Sequence, residues 1–301
     1  MAMPRARLID SSIYIFRAWF SMPDHWHSPE GWPLSAVYGY CRFLLEFIDS
    51  TKPEHCAAAF DESLGSCYRN DIFPSYKSSR ELPDEALAFQ LNACKELTRR
   101  LGVPCYGGSR YEADDYLATL ARLYRQQGIA VSIVTRDKDL GQLIQADGDE
   151  WFDYGAGVVL DALGFEQKFG VRPTQFADYL ALVGDPVDDI PGVPGVGAKT
   201  AARLLQACDN LEQLGGQLDQ LKDLGIRGAA RIQGNLQAHW PQVQLARQLT
   251  VLEEQIPGLD RIPDYQLSRE GLASLADYLA ELNLSGPLTR RCLAMQKGLP
   301  S

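Results

Sequence analysis

Hydrophobic positions change their spacing a little past the middle of the chain. Before that point, short apolar runs alternate with longer stretches of helical period. Ala6–Ile9, Cys56–Phe60, Val131–Val134 and Trp151–Tyr154 read as strands, while Val37–Ile48, Ala86–Leu101 and Ala113–Gln126 carry the periodicity of amphipathic helices. Strands separated by helix-length crossovers predict an α/β fold, a central mostly parallel sheet flanked by helices. Gly170-Val171-Arg172-Pro173 then punctuates the chain, with Pro173 suited to the first position of a helix. Beyond it the pattern is helical only, over Thr174–Val183, Lys199–Ala207, Arg231–Trp240 and Leu272–Leu282. The expected division is an α/β core over 1–172 and a helical region over 173–301, the two packed together.

Composition adds little until charge is considered. Asp10 interrupts the first apolar run, which predicts no signal-peptide core, and no later stretch approaches the ~20 apolar residues of a membrane span. Seven cysteines, odd in number and without a C-x-x-C pair, read as reduced thiols of a cytoplasmic protein. A net charge of −10 weighs against a nucleic-acid partner, which normally meets a basic surface. That objection weakens if the acids are gathered at one metal site.

The acids are placed as such a site requires. Three predicted strands run into an acid, at Asp10, at Asp61 and at Asp137 with Asp139. In a parallel sheet the carboxyl ends of the strands share one edge, where open α/β folds place their sites. Glu112-Ala113-Asp114-Asp115 stands at a helix entry, and Asp185 with Asp188-Asp189 follows another helix. Taken singly, each is an ordinary cap or turn residue. Together they put a crowd of like charges in one crevice, which cations must neutralise. All-oxygen donors select Mg²⁺ or Mn²⁺, and more than four carboxylates exceed what one such ion uses, so two ions are expected. A pair of that kind serves in-line phosphoryl displacement. Residues i and i+2 do not share a helix face, so Glu112 and Asp114 converge only if Glu112 precedes the regular helix. His25, His27, His55 and His239 have no metal-ligand spacing, and Ser11-Ser12 lacks a catalytic partner pattern.

Pro191-Gly192-Val193-Pro194-Gly195-Val196-Gly197-Ala198-Lys199-Thr200 differs from a phosphate-binding P-loop by the residue between Gly197 and Lys199, and it follows a helix rather than a strand. A helix–hairpin–helix type turn, at about 184–207, fits better. Its amides would meet a DNA phosphate, with Gly192, Val193, Gly195, Val196, Gly197, Lys199 and Thr200 as contacts. Its carbonyls could hold a monovalent cation such as K⁺.

Several motifs in fixed order carry a family resemblance: Leu8-Ile9-Asp10 with Phe16-Arg17-Ala18, Val37-Tyr38-Gly39-Tyr40, Phe60-Asp61, Arg69 with Pro74-Ser75-Tyr76-Lys77-Ser78-Ser79-Arg80, Tyr111-Glu112-Ala113-Asp114-Asp115, Thr135-Arg136-Asp137-Lys138-Asp139-Leu140, and Gly184-Asp185 through Ala201. From about Leu8 to about Trp240 the chain resembles the bacterial and phage 5′-nucleases, the flap endonuclease/5′→3′ exonuclease family, as a stand-alone member. The resemblance implies that Asp10, Asp61, Glu112 and Asp114 serve a first metal ion, and that Asp115, Asp137, Asp139, Asp185 and Asp188 serve a second or its water shell. It implies a helical arch at about 65–92 that passes a 5′ single strand, with Arg69, Tyr76, Lys77 and Arg80 contacting it by charge and stacking. Lys77 and Arg80 are then the candidates for the scissile phosphate and the backbone, and Arg17 and Tyr40 for inner-site DNA contacts. Asp189 departs from the family, where Asn is usual. Expected substrates are DNA 5′ flaps, nicks and 5′ ends, with RNA primer–DNA hybrids as a further class, acted on by a monomer. Two alternatives stand beside this: a DNA-junction binding protein with weak chemistry, and a metal-dependent ribonuclease of a related fold.

Overall fold

The structure, a computed structural model, describes residues 4–224 and 228–299. The chain opens with β1 (Arg5–Asp10), α1 (Ser11–Ser21), α2 (Ser35–Thr51), β2 (His55–Ala59), α3 (Tyr68–Ile72), α4 (Glu85–Arg100) and β3 (Cys105–Tyr106). It continues through α5 (Ala113–Gln126), β4 (Ala130–Val134), a 3₁₀ turn at Asp139–Leu143, β5 (Glu150–Asp153), β6 (Val158–Leu160) and α6 (Ala162–Phe169). Helices then follow one another: α7 (Phe176–Val183), α8 (Ala198–Cys208), α9 (Leu211–Gly216), α10 (Ala229–Thr250), α11 (Arg269–Glu281) and α12 (Pro287–Gly298).

The strands form one sheet in the order β3-β2-β1-β4-β5-β6, parallel throughout except for the antiparallel edge strand β6. The chain grows outward from β1 on one side and then returns to lay β4 against β1 on the other. The carboxyl ends of β1 and β4 therefore flank the point where strand order reverses, the usual position of a crevice in such sheets. In β4 every residue is buried, as a central strand covered on both faces requires.

Helices α1, α2 and α4 cover one face, and α5 covers the other. The helix starts follow ordinary capping chemistry: Asp84 caps α4 by accepting from Leu87 N at 2.8 Å, and Asp161 caps α6 through Gly164 N at 2.8 Å. A third core gathers α6 to α10 around Phe165, Phe176 and Leu204.

The last two helices depart from the expected division. Leu272, Leu275, Leu279, Leu288 and Cys292 of α11 and α12 are buried in the same core as α2 and α4. Residues past about 268 thus close over the α/β layer instead of extending the helical region. The pattern also concealed α1, whose run Ile13-Tyr14-Ile15-Phe16 is apolar on every side, and it cut α10 short at Trp240, although the helix continues through Pro241 to Thr250. Between 65 and 92 there are a five-residue helix, a series of turns and the start of α4. Leu87 and Gln90 of that helix start are buried in the body of the protein.

Candidate active site

Asp10 ends β1 and caps α1, accepting from Ile13 N at 3.4 Å, while Thr135 Oγ1 donates to its Oδ2 at 2.8 Å. The same threonine hydroxyl accepts from Asp137 N at 2.9 Å, so one side chain ties the ends of the two switch-point strands together. Burial, then the nearby Asp137 and Asp61 charges, push the Asp10 carboxyl up to about 7 against the opposing Thr135 and Ile13 hydrogen bonds. Asp61 follows β2 and is held by Ser63, whose Oγ donates to its Oδ1 at 3.0 Å. Asp139 opens the 3₁₀ turn, its N–H donating to Asp137 Oδ1 at 2.9 Å. Burial and Asp137 push its carboxyl up to about 7 despite Lys138 at 2.8 Å.

Glu112 is the N-cap of α5 in extended conformation, φ −80° and ψ 164°. It therefore precedes the regular helix, which is what convergence with Asp114 requires. Asp114, the second residue of α5, has its carboxyl raised well above the ordinary range by burial and by Asp137 and Asp10. Glu112, Asp114, Asp139, Asp185 and Asp188 line a single recess.

Protein cations lie over these acids. Lys77 Nζ contacts Glu112 Oε1 and lies 3.8 Å from Asp188 Oδ2. Arg80 Nη2 lies 2.5 Å from Asp188 Oδ1, and Lys138 Nζ is 3.8 Å from Asp185 Oδ2. Burial alone would raise Glu112, but Lys77 and Arg69 outweigh it and hold that carboxyl below its usual range. Among the described residues no three His, Cys, Asp or Glu side chains already form a metal cage.

The turn that carries Lys77 is fixed to the segment after α7. Lys77 N donates to Asp188 O at 3.1 Å and Ser79 N to Asp189 Oδ2 at 2.8 Å. Lys77 and Asp189 both have left-handed backbones, φ 53° and 57°. Asp and Asn are the non-glycine residues that tolerate this conformation best, and either offers an oxygen to Ser79 N. That accounts for an acid at 189 without assigning it to a metal.

Four residues expected to meet metal or DNA bond to protein groups instead, and two of them, Arg69 and Tyr76, do so in the wall of the recess itself. Arg69 is 1% exposed, and all five of its N–H donors are used: Leu249 O at 2.8 Å, Val251 O at 3.0 Å, Glu112 Oε2 at 2.8 Å, and both oxygens of Asp115 at 2.7 and 2.8 Å. It joins α3, the start of α5 and the end of α10, and faces no solvent. Asp115 is fully buried, and beyond Arg69 it accepts from Glu112 N and Glu253 N at 3.0 and 2.9 Å. Its oxygens are occupied by protein donors. Tyr76 is buried against the α6–α10 core, with its hydroxyl donating to Glu112 Oε2 at 2.9 Å, so its ring offers no stacking face. Tyr40 is a core residue whose hydroxyl meets Ser11 and Thr98 at 2.9 and 3.1 Å. Arg17 and Arg80 are exposed. Lys138 and Thr135 touch the acids directly, although in the sequence nothing beyond their place in a motif marks them.

At the glycine-rich turn the side chains of Val193 and Val196 are buried, while Gly195, Gly197 and Lys199 are exposed. Gly192 is required by packing: a Cβ there would sit 1.9 Å from Val183 O. Gly195 has φ 79° and makes the turn, and Gly197 is the N-cap of α8. Arg203 lies one helical turn beyond Lys199 and is also exposed, a basic pair on one face that motif matching passes over.

Two family descriptions match the chain: the N-terminal resolvase-like domain of 5′-3′ exonucleases over residues 5–170, and their C-terminal SAM fold over 171–270. The chain is 34% identical over 214 residues to a 5′-3′ exonuclease of Aquifex aeolicus, covering 69% of this chain and 71% of that one. It is 34% identical over 260 residues to DNA polymerase I of Rhizobium leguminosarum, 83% of this chain but 24% of the polymerase. The chain thus spans about a quarter of the length of such polymerase relatives. Among solved structures, phage T5 5′-exonuclease with bound divalent zinc ions aligns at TM-score 0.67 with 18% identity, over 97% of this chain and 99% of the other. The catalytic core of Rad2 in complex with DNA substrate aligns at TM-score 0.65 with 15% identity, over 99% and 92%. The chain belongs to the 5′-3′ exonuclease family.

Proposed function

We propose that the chain is a Mg²⁺-dependent 5′-nuclease that hydrolyses DNA phosphodiesters at 5′ ends, nicks and flaps. The observation that carries this reading is the gathering of carboxylates from the turn after β4, the start of α5 and the segment after α7 around one recess, with Asp10 of β1 close enough to Asp114 to raise its carboxyl and with Lys77 and Arg80 folded against the acids. The donor set suits a hard divalent cation. Every candidate is a carboxylate oxygen, and Asp10, Asp114 and Asp139 are all raised by burial among neighbouring acids, which marks negative charge short of compensation. Asp10, Asp61, Glu112 and Asp114 would hold one ion, and Asp137, Asp139, Asp185 and Asp188 a second. Asp115 would act through Arg69, orienting Glu112. Bound there, two Mg²⁺ would supply an activated water and stabilisation of the leaving oxygen.

The chain's own cations would do the rest. Lys77 exchanges its Glu112 partner for an oxygen of the scissile phosphate, where its charge counters the charge that builds up during attack. Arg80 holds the adjacent backbone. The exposed turn at Gly195–Gly197, with Lys199 and Arg203, holds a phosphate of the duplex, giving binding that is salt-sensitive and indifferent to sequence. Asp188→Ala tests the division of labour. Single-turnover cleavage of a 5′-flap should fall by about a hundredfold or more, while flap affinity in EDTA stays within about threefold because the phosphate contacts remain. Unchanged cleavage would remove Asp188 from the metal set.

A further inference from the structure

The carbonyls of the glycine-rich turn are already engaged. Gln242 Nε2 donates to Pro191 O at 3.3 Å and Gly192 O at 3.1 Å, and Asn235 Nδ2 donates to Pro194 O at 2.6 Å. Val193 O accepts from Val196 N at 3.0 Å. Four successive carbonyls, 191 to 194, thus each have an N–H donor. Asn235 and Gln242 are seven residues apart on α10, two helical turns, so they lie on the same face and brace the turn from one side. A monovalent cation held by turn carbonyls needs several of these oxygens aimed at a common point. Here two side-chain amides direct their positive N–H ends at three of the oxygens, filling that role with groups of the protein.

We infer that Asn235 and Gln242 replace the monovalent cation beneath this turn, so that its grip on a DNA strand does not depend on K⁺. The inference rests on the reading of the turn as a DNA contact. The two are positioning residues: they touch no substrate, and they set the direction in which the amides of 195–197 point. K⁺ is therefore not a cofactor of this site.

The test is fluorescence anisotropy of a labelled 5′-flap duplex with the full chain in EDTA, in KCl and in tetramethylammonium chloride of equal ionic strength. The wild-type Kd should agree within about twofold between the two salts. The Asn235→Ala/Gln242→Ala double variant should bind roughly tenfold more weakly in tetramethylammonium and regain most of that loss in KCl. A circular-dichroism melt matching wild type would show that it is folded, and Gln242→Glu, of equal size without the donor, should reproduce the gain of K⁺ dependence if the double variant is not. A simple loss of packing would weaken binding equally in both salts. Wild-type binding several-fold tighter in KCl, or variants indifferent to the cation, would overturn the inference. Absence of wild-type binding in either salt would remove the DNA-contact reading itself, and the inference with it.

Discussion

Arg69 shows most clearly what a residue's type does and does not disclose. In a polar segment with Lys77, Arg80 and two tyrosines nearby, it reads as a charge waiting for phosphate. Its partners are 43, 46, 180 and 182 residues away in sequence, and no local spacing points to them. The same limit applies to Tyr40 and Tyr76, whose hydroxyls find buried partners on other elements. The acids were legible for the opposite reason: a carboxylate at a strand end is positioned by the sheet, and the sheet follows from the hydrophobic pattern. Arg69→Leu should therefore act on the fold. Leaving Glu112 and Asp115 buried without their partner should destabilise the chain by about 3–5 kcal/mol in urea unfolding. A variant with wild-type stability and a pure loss of DNA affinity would return Arg69 to the DNA surface.

At the scale of elements, the glycine-rich turn was recognisable because glycine and proline state a backbone requirement directly. What the sequence could not say was which glycine serves what. Gly192 passes against Val183 and Gly184, with no room for a methyl group, whereas nothing lies within 4 Å of a Cβ at Gly197. Gly192→Ala should thus cost about 1–3 kcal/mol through forced backbone movement and weaken flap binding, measured by denaturation and anisotropy. Gly197→Ala should be far milder in stability. Equal effects would mean that the α7–α8 contact is looser than its geometry. The course of α10 beyond Trp240 was hidden because Pro241 reads as a stop, yet burial of Val243, Ala246 and Leu249 holds the following turns against the lost donor and the clash of the ring with the preceding turn.

For the whole molecule, charge and folding are coupled at the recess. Asp10 and Asp139 are both raised from 3.8 to about 7, so the metal-free folded chain keeps protons that the unfolded chain has lost. Stability from these two groups is fully present below about pH 4 and declines as pH rises through about 7. Divalent metal needs them deprotonated, so it should bind more weakly at pH 6 than at pH 8 and should release protons at pH 7. Calorimetric titration with Mn²⁺ in two buffers of different ionisation heat measures this, and zero proton release would contradict the desolvated cluster. The return of α11 and α12 to the first core was not visible in a helical period that names no partner. Among the described residues no helix is long and apolar enough to cross a membrane. The most direct test of the central claim is cleavage of a 5′-labelled flap duplex by the purified chain, with Mg²⁺ and with EDTA. The account predicts a short 5′ product with Mg²⁺ and intact substrate with EDTA. No metal-dependent product, with DNA still bound, would contradict it.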